Sequence, residues 1–255
     1  MRNDQFPTTG VGSHQPQRFI PDIEFLNYHF NHDKWDWFKF YTPEFAARLE
    51  EHFFAWNANN WTVTTVEAGG GNASEAISDH VNGVLLVTND NADNDRDEIL
   101  TQAESFKLLD GYPLYASARL KISDADQSDF WFGLITGVSY WAATPDDACI
   151  FSSQDGDANI DFITRTNAAQ TLTDTGQDLT DLGWIRLGFH WDGHESLRYF
   201  VFRDSDLYCL AQGIHTTHIC QDEEMRFGFG LMNGEAVAKA IYVDYIRCVQ
   251  MLAIE

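Results

Sequence analysis

From Trp61 onward, apolar and polar side chains alternate with a period of two residues, most clearly over 114–122, 185–191 and 225–231. Successive side chains of a β-strand point to opposite faces, so each of these segments predicts a strand with one buried and one wetter face. Residues 130–135 are apolar on both faces, which indicates a strand at the centre of a sheet. Pairs that favour hairpin turns separate the segments, namely Asn82-Gly83, Asp110-Gly111, Asp155-Gly156, Asp192-Gly193 and Asn233-Gly234. The pattern predicts an all-β sandwich of two antiparallel sheets with about a dozen strands.

The first sixty residues lack this alternation. Residues 1–31 have no sustained period and contain several Pro and Gly residues, which predicts an extended N-terminal arm docked on a neighbouring subunit or on its own domain. Residues 32–60 are rich in aromatic side chains and predict one short helix, with Thr42 as its cap and Pro43 in its first turn. The apolar residues of that helix would be Phe45, Ala46, Leu49 and Phe53. We therefore divide the chain into an arm (1–31), an aromatic segment (32–60) and a sandwich (61–255).

Charge and cysteine content limit the classes of function. The 255 residues carry a formal net charge of −23, which repels nucleic acid, because phosphate binding needs clustered Lys and Arg. No apolar run approaches the roughly 18 residues of a membrane span, and the N-terminus has no apolar region typical of a signal peptide. The four cysteines, Cys149, Cys209, Cys220 and Cys248, form no CxxC pair, which favours buried free thiols and assembly in a cytoplasm.

Catalytic motifs are missing from the strand region. Glycoside hydrolysis needs two carboxyl groups roughly 5 to 9.5 Å apart, which places acids at alternate positions of one strand. Asp161 has no second acid at that spacing, and Asp22 and Glu24 lie in the predicted arm. There is no Gly-x-Ser-x-Gly elbow, and the Gly69-Gly70-Gly71 run lacks the Lys of a phosphate loop. We predict no catalytic residues and no enzymatic activity.

Two groups of residues could in principle hold metal, although we expect no cofactor. Asp90, Asp93 and Asp95 have the alternating oxygen ligands of a calcium loop, but a solvated turn is the favoured interpretation. A second group has the pattern Cys-x5-His-x2-His-x-Cys and consists of Cys209, His215, His218 and Cys220. Its spacing matches no common zinc motif, which favours loop and core residues over ligands.

Four segments of the strand region, taken in order, resemble the concanavalin-like jelly-roll proteins of tailed-phage virions. They are Gly83–Thr88 followed by Asp93-Asn94-Asp95; Ala118–Ala125 with Ser128-Asp129-Phe130 and Gly133-Leu134; Trp184–Phe189 with Asp192-Gly193; and Ile241–Ile246. The resemblance covers roughly Trp61 to Leu252. It implies a concanavalin-like jelly-roll sandwich and a role as a capsid decoration protein or another structural component, often oligomeric.

Our leading hypothesis from the sequence is a non-enzymatic virion protein that decorates or cements a capsid, on the outer surface of a phage particle assembled in the host cytoplasm. Its partners would be the major capsid protein or other virion subunits and further copies of itself, for example in a trimer, without nucleic acid or membrane. The predicted interface residues are Trp35, Trp37, Phe38, Phe40 and Tyr41. The alternative is a carbohydrate-binding module or adhesin for host-surface glycans, with Trp131, Tyr140, Trp141 and Asp161 in contact with the sugar.

Overall fold

The computed structural model describes residues 46–252, in which the alternating segments form fifteen β-strands and one short 3-10 helix. The strands are β1 (Ala46–Glu51), β2 (Trp61–Val66), β3 (Ser74–Ile77), β4 (Leu85–Thr88), β5 (Arg96–Thr101), β6 (Leu114–Ile122), β7 (Ser128–Ile135), β8 (Ala148–Gln154), β9 (Asp157–Thr166), β10 (Ala169–Asp178), β11 (Ile185–Trp191), β12 (Leu197–Arg203), β13 (Cys209–His215), β14 (Arg226–Asn233) and β15 (Ala240–Met251). The 3-10 helix is Ala58–Asn60. The predicted arm and the predicted interface residues Trp35, Trp37, Phe38, Phe40 and Tyr41 lie outside the described residues.

The strands form two antiparallel sheets that face each other. The eight-stranded sheet has the order β13-β12-β11-β6-β15-β4-β3, and β1 pairs with the remaining length of β15. The seven-stranded sheet has the order β10-β9-β8-β7-β14-β5-β2. The predicted all-β sandwich is confirmed, and β7, the strand that is apolar on both faces, is the central strand of its sheet.

The predicted short helix is wrong over its described residues. Residues 46–51 form β1, which pairs antiparallel with β15 from Ala46 opposite Met251 to Glu51 opposite Ile246. β4 pairs only with residues 240–243 of β15, so the rest of that long strand has a free edge, which β1 occupies. The spacing of Ala46 and Leu49 suits a helix, but the backbone donors and acceptors of β15 decide the outcome.

The inner faces of both sheets form one hydrophobic core. Phe132, Phe151 and Phe227 from the seven-stranded sheet pack there with Leu120 and Phe189 from the eight-stranded sheet, and all five are fully buried. The ring centroids of Phe132 and Phe227 lie 5.3 Å apart with their planes at 75°, an edge-to-face arrangement that aromatic pairs prefer. This packing fixes the two layers and leaves the outer face of each sheet for other contacts.

The predicted turns and thiols can be compared directly with the fold. Asn82 and Gly83 both have positive φ, of 75° and 76°, the left-handed conformation predicted for this pair, and they lie in the connection 78–84 between β3 and β4. All four cysteines are free, and Cys149, Cys220 and Cys248 are buried while Cys209 is half-buried. Free thiols are therefore confirmed.

In the described part of the chain, no helix has the length and apolar character needed to cross a bilayer.

Candidate functional site

The outer face of the seven-stranded sheet carries a second, smaller apolar layer beneath a loop. Leu100, Trp131, Ile135, Ala148, Ile150 and Ile163 are buried there, on the side opposite the main core. The loop between β7 and β8, residues 136–147, folds back over this layer and packs Tyr140 and Trp141 against it. A sheet face that would otherwise be wet is thus covered by one loop that displays aromatic side chains.

Three aromatic residues meet at this place. The ring centroids of Trp131 and Tyr140 are 5.8 Å apart, those of Trp131 and Trp141 are 6.5 Å apart, and those of Tyr140 and Trp141 are 6.0 Å apart. Tyr140 and Trp141 are half-buried, whereas Trp131 is fully buried. We correct the predicted role of Trp131, because a side chain with no exposed ring face supports the cluster and cannot stack on a sugar.

Gly230 of β14 makes room for the cluster. A Cβ atom on Gly230 would lie 2.5 Å from Nε1 of Trp131 and 2.8 Å from the ring of Trp141. Atoms at those separations overlap, so the two indoles can lie on β14 only where the strand has no side chain.

Glu98 of β5 fixes the loop from below. Its carboxylate accepts a hydrogen bond from the Ser139 hydroxyl and another from the backbone N–H of Tyr140 at 2.6 Å, and its side chain is fully buried. Burial raises the pKa of Glu98, and the hydrogen bonds from Ser139 and Tyr140 offset part of that rise. Thr64 adds a second anchor by donating from Oγ1 to the carbonyl oxygen of Val138 at 3.1 Å.

Charged side chains surround Tyr140 on the same face. Burial raises the pKa of the Tyr140 phenol, the charge of Arg165 lowers it, and Asp129 and Asp161 raise it further. Asp161 is half-buried, and its own pKa is raised by burial and by the nearby Asp174 and Asp157. Aromatic side chains beside carboxylates and a guanidinium can bind a ligand that has a hydroxylated ring. The aromatic side chains pack on the apolar face of the ligand ring, and the charged groups form hydrogen bonds with its hydroxyls. We define Tyr140, Trp141, Asp129, Asp161 and Arg165 as the aromatic site.

The structure brings some of the predicted site residues together. The rings of Trp131, Tyr140 and Trp141 lie close to one another, and the charge of Asp161 acts on Tyr140. Arg165, Asp129 and Glu98 were not predicted. For Glu98 the sequence contains no clear signal, since Arg96 and Asp97 precede it and only Ile99 and Leu100 after it are apolar.

Of the predicted metal ligands, two of three come together. One carboxylate oxygen of Asp90 lies within 4.8 Å of one carboxylate oxygen of Asp95, and one carboxylate oxygen of Glu67 lies within 4.8 Å of both. Asp93 is exposed and is not part of this group, which corrects the predicted set.

The four residues of the Cys-His pattern do not converge. His215 is buried, and both of its ring nitrogens form hydrogen bonds with threonines, Nδ1 with Thr164 at 2.8 Å and Nε2 with Thr173 at 2.9 Å. Cys220 lies in the main core, whereas Cys209 packs against Phe200 and Phe202 on the outer face of the eight-stranded sheet. Burial lowers the pKa of His215, which keeps the imidazole neutral between its two threonines.

The outer face of the eight-stranded sheet has a different character. The guanidinium of Arg119 contacts Asp204 at 2.7 Å and Asp244 at 2.9 Å, and it lies 4.1 Å from the centre of the Trp184 ring. Arg186 contacts Oδ1 of Asp204 at 2.8 Å, an oxygen that also accepts a hydrogen bond from Nε of Arg119. Burial would raise the pKa of Asp204, but its hydrogen bonds to Arg119 and Arg186 and their charges lower it below its usual range. This face is a network of paired charges over aromatic rings.

Comparison with known proteins gives relatives of structure only. No family model matches the chain, and no curated protein matches it. A protein of unknown function from Shewanella oneidensis MR-1 superposes with a TM-score of 0.60 at 16% identity, over 96% of this chain and 97% of that one. An endo-1,3-β-glucanase from Streptomyces sioyaensis has a TM-score of 0.56 at 14% identity, over 83% of this chain and 99% of that one.

A third match comes from a phage. The CBM2 module of the evolved Dit protein of Lactobacillus casei BL23 phage J-1 has a TM-score of 0.54 at 9% identity, over 83% of this chain and 98% of that one. Peanut lectin and a lectin from Ulex europaeus match over a similar part of the chain. Identities this low establish the fold and not the activity. The chain therefore has the concanavalin-like jelly-roll fold shared by lectins and β-glucanases.

Proposed function

We propose that this chain is a non-enzymatic carbohydrate-binding protein whose glycan contacts are made by the aromatic site. The observation that carries the proposal is the half-exposed pair Tyr140 and Trp141, held by a loop over the outer face of the seven-stranded sheet and flanked by Asp129, Asp161 and Arg165. The lectins and the phage CBM2 module among its structural neighbours support the same function.

The binding of a sugar here would use two kinds of contact. The indole of Trp141 has a partly open surface on which the apolar face of a sugar ring can stack. The oxygens of Asp129 and Asp161 accept hydrogen bonds from sugar hydroxyls, and the guanidinium of Arg165 donates to ring or hydroxyl oxygens.

The buried state of Glu98 favours binding over hydrolysis. A glycosidase presents two carboxyl groups to the bond that it cleaves. Glu98 lies on the same face, on β5 next to the edge strand β2, but its side chain is fully buried and its oxygens are engaged by Ser139 and Tyr140. A reducing-sugar assay with β-1,3-glucan is expected to give no product above background.

A glycan array followed by calorimetric titration of the best ligand tests the proposal. Trp141→Ala and Asp161→Asn are each expected to weaken binding at least about tenfold, equivalent to about 1.4 kcal/mol. Val138→Ala is the matched control, because Val138 lies in the same loop with its side chain exposed and makes no contact assigned to sugar. Silence across the array, or equal affinity of Trp141→Ala and the wild type, would refute the assignment.

We propose in addition that the protein is displayed on the outer surface of a phage virion, as a decoration protein that presents its glycan site to the host. Support comes from the phage module among its structural neighbours and from the net charge of −23, which disfavours contact with packaged DNA. Its partners would be the major capsid protein or other virion subunits, and copies of itself in a homo-oligomer such as a trimer.

The residues proposed to contact those partners are Trp35, Trp37, Phe38, Phe40 and Tyr41. The segment that contains them leads into β1, which belongs to the eight-stranded sheet and not to the sheet that carries the aromatic site. Deleting residues 1–31, and separately replacing Trp35 and Trp37 by Ala, is expected to reduce incorporation into particles; full occupancy of both variants would count against the virion role.

A further inference from the structure

Aromatic side chains on the outer face of the eight-stranded sheet are buried, although they point away from the main core. Tyr115 of β6 is 8% exposed, and Phe200 and Phe202 of β12 are 6% and 4% exposed. The rings of Phe200 and Phe202 are stacked, with their centroids 5.9 Å apart. Cys209 of β13 is half-buried and packs against this group. We call Tyr115, Phe200, Phe202 and Cys209 the outer apolar layer.

The outer apolar layer lies flat on the sheet. Gly188 of β11 pairs with Ser117 on one side and with Phe200 on the other. A Cβ atom on Gly188 would lie 3.6 Å from the hydroxyl oxygen of Tyr115, so the Tyr115 side chain extends along the sheet towards the glycine. Ser117 is 3% exposed, and its hydroxyl has no hydrogen-bond partner in residues 46–252. A ring that lies along a sheet exposes its upper side unless another layer rests on it.

The low exposure of these rings therefore requires a cover. Neighbours within a sheet surround a side chain from the sides, whereas only another element can bury it from above. On the seven-stranded sheet that element is the loop 136–147, which packs Tyr140 and Trp141 on the layer beneath. All four residues of the outer apolar layer belong to strands of the eight-stranded sheet itself. Its apolar cover is thus expected to come from outside residues 46–252.

We propose that residues 32–45 of the same chain lie across the outer face of the eight-stranded sheet and cover the outer apolar layer. This segment ends where β1 begins, and β1 belongs to that sheet through its pairing with β15. Ala46, the first residue of β1, packs with Val249 and Met251 in a second buried group that is separate from the main core. The segment therefore joins the described chain directly beside the face that it would cover.

The length of the segment is sufficient for this path. Between β1 and β12 lie β15, β6 and β11, so four strand spacings of about 4.8 Å separate them, or about 19 Å. An extended chain advances about 3.3 Å per residue, so about six residues cross that distance. The fourteen residues of 32–45 can reach every residue of the outer apolar layer.

The composition of the segment matches the surface. Six of its fourteen residues are aromatic, namely Trp35, Trp37, Phe38, Phe40, Tyr41 and Phe45. Aromatic side chains bury large apolar areas and pack on one another in offset or edge-to-face arrangements, as Phe200 and Phe202 offer here. The virion role proposed above does not depend on this contact, because an extended segment has a second side that remains available to a partner subunit.

Hydroxyl-radical footprinting of the full-length wild type tests whether the layer is covered. Tyr115 is the probe, and Tyr208, in the connection after β12, is the internal reference. Tyr115 is expected to oxidise several times more slowly than Tyr208, because the exposed fractions are 8% and 44%. Equal oxidation of the two tyrosines would overturn the proposal. This measurement needs no variant, so it stays decisive if a variant does not fold.

Crosslinking identifies the occupant. Lys34 and Lys39 lie in the segment, and Lys121 of β6 lies on the covered face, with its ammonium 4.9 Å from the centre of the Trp184 ring. An amine-reactive crosslinker is expected to join Lys34 or Lys39 to Lys121. In full-length protein prepared from mixed unlabelled and isotopically labelled chains, each crosslinked pair should carry one label only. Mixed labels would assign the cover to a second copy, and no crosslink to Lys121 would place the segment elsewhere; either result overturns the proposal.

The reactivity of Cys209 measures what the aromatic residues of the segment contribute. In a full-length variant with Trp35, Trp37, Phe38 and Phe40 all replaced by Ala, modification of Cys209 by a thiol reagent is expected to be at least about tenfold faster. Peptide mapping separates Cys209 from the three buried cysteines.

Phe54→Ala is the matched control, because Phe54 is an aromatic residue just after β1 that is 73% exposed. Cys209 should react in this variant as in the wild type. Equal rates in the four-alanine variant and the wild type would overturn the proposal. Glycan binding by the four-alanine variant should be unchanged, so the outcome is independent of the aromatic site.

Discussion

Asp97 and Glu98 are neighbours in sequence, yet their side chains point to opposite faces of β5. Asp97 points between the sheets towards Glu75 and Glu67, whereas Glu98 points outward beneath Ser139 and Tyr140. Burial is the largest cause of the raised pKa of both carboxyl groups. Only Glu98 receives hydrogen bonds from a loop that partly offset this rise. The different surroundings give the two acids different roles, Asp97 at a charge cluster and Glu98 as an anchor.

Asp97→Asn is expected to stabilise the protein at pH 8 in the presence of EDTA, and not near pH 4. Burial and the nearby acids raise the pKa of Asp97 from 3.8 to about 8, so between these values the folded protein holds a proton that the unfolded chain has lost. Stability then falls as the pH rises through that window, and an uncharged Asn removes the penalty. We expect a gain of several kcal/mol at pH 8, measured by urea unfolding, because each unit of pKa change corresponds to about 1.4 kcal/mol.

The same measurement on Asp93→Asn provides the control, because Asp93 is exposed in the adjoining loop. Its unfolding free energy should change little between the two pH values. A gain for Asp97→Asn that is the same at pH 4 and pH 8 would show that ionisation of Asp97 is not the cause.

Gly230→Ala is expected to destabilise the protein by about 1–3 kcal/mol, because the new methyl group would overlap Trp131 and Trp141. Gly70→Ala is the comparison, since a Cβ atom there would meet nothing within 4 Å. Chemical unfolding of both variants measures the difference. Equal stability of the two would mean that the indoles do not rest on β14.

At the level of elements, the connection between β7 and β8 forms the aromatic site on the outer face of the seven-stranded sheet. It covers Trp131 and Ile150 and carries Tyr140 and Trp141 on its outer side. Its attachments include the hydrogen bonds of Glu98 with Ser139 and Tyr140, the hydrogen bond of Thr64 with Val138, and the packing of Tyr140 and Trp141 on the layer beneath. A loop can open locally at a lower free energy than the strands beneath it, so the contribution of one attachment can be measured.

Glu98→Gln is expected to loosen this loop without unfolding the sandwich. A glutamine amide is uncharged and has one acceptor oxygen in place of two, so the hydrogen bonds from the Ser139 hydroxyl and the Tyr140 N–H can no longer both be accepted by carboxylate oxygens. The backbone amide of Tyr140 should exchange with deuterium at least about tenfold faster, equivalent to about 1.4 kcal/mol of opening free energy.

Glu104→Gln is the control, because the Glu104 carboxylate accepts a hydrogen bond from Gly137 of the same loop, but in an exposed position. Exchange at Tyr140 should be nearly unchanged in this variant. If both variants accelerate exchange equally, the loop is held by its edge and not by the buried carboxylate.

Across the whole molecule, acids outnumber bases by 39 to 16, and the basic residues Arg119, Arg186 and Arg247 are held in ion pairs on the eight-stranded sheet. Most of the remaining surface charge is therefore negative and mutually repulsive. Repulsion of this kind opposes the compact state and is screened by salt, whereas partly buried pairs such as Arg119 with Asp204 are screened less.

Stability is therefore expected to increase between about 10 mM and about 500 mM NaCl at pH 7, because the Debye length shortens and surface repulsion weakens. The urea midpoint of the EDTA-treated protein measures the effect, with sodium as the only added cation. A midpoint that falls with salt would mean that attraction within the ion pairs of the eight-stranded sheet contributes more to stability than repulsion among the acidic residues removes.

After Trp61 the sequence by itself determined where the clearly alternating strands lie and that one side of each is buried. Over 114–122 and 185–191 every second side chain is apolar, and the strand geometry leaves one arrangement that buries them all. Turn pairs such as Asn82-Gly83 added the positions where the chain reverses. These are local properties of the chain, so sequence reasoning could read them.

Only the tertiary structure decided the pairing partners and the sites. Residues 46–51 became a strand because β15 has a free edge, Trp131 became buried because a loop covers its face, and Glu67 joined Asp95 because two connections cross at one edge. Each outcome depends on residues far apart in sequence that meet only after both sheets have formed. Alternation along one strand contains no information about such contacts, because it specifies which face a side chain occupies and not what lies opposite it.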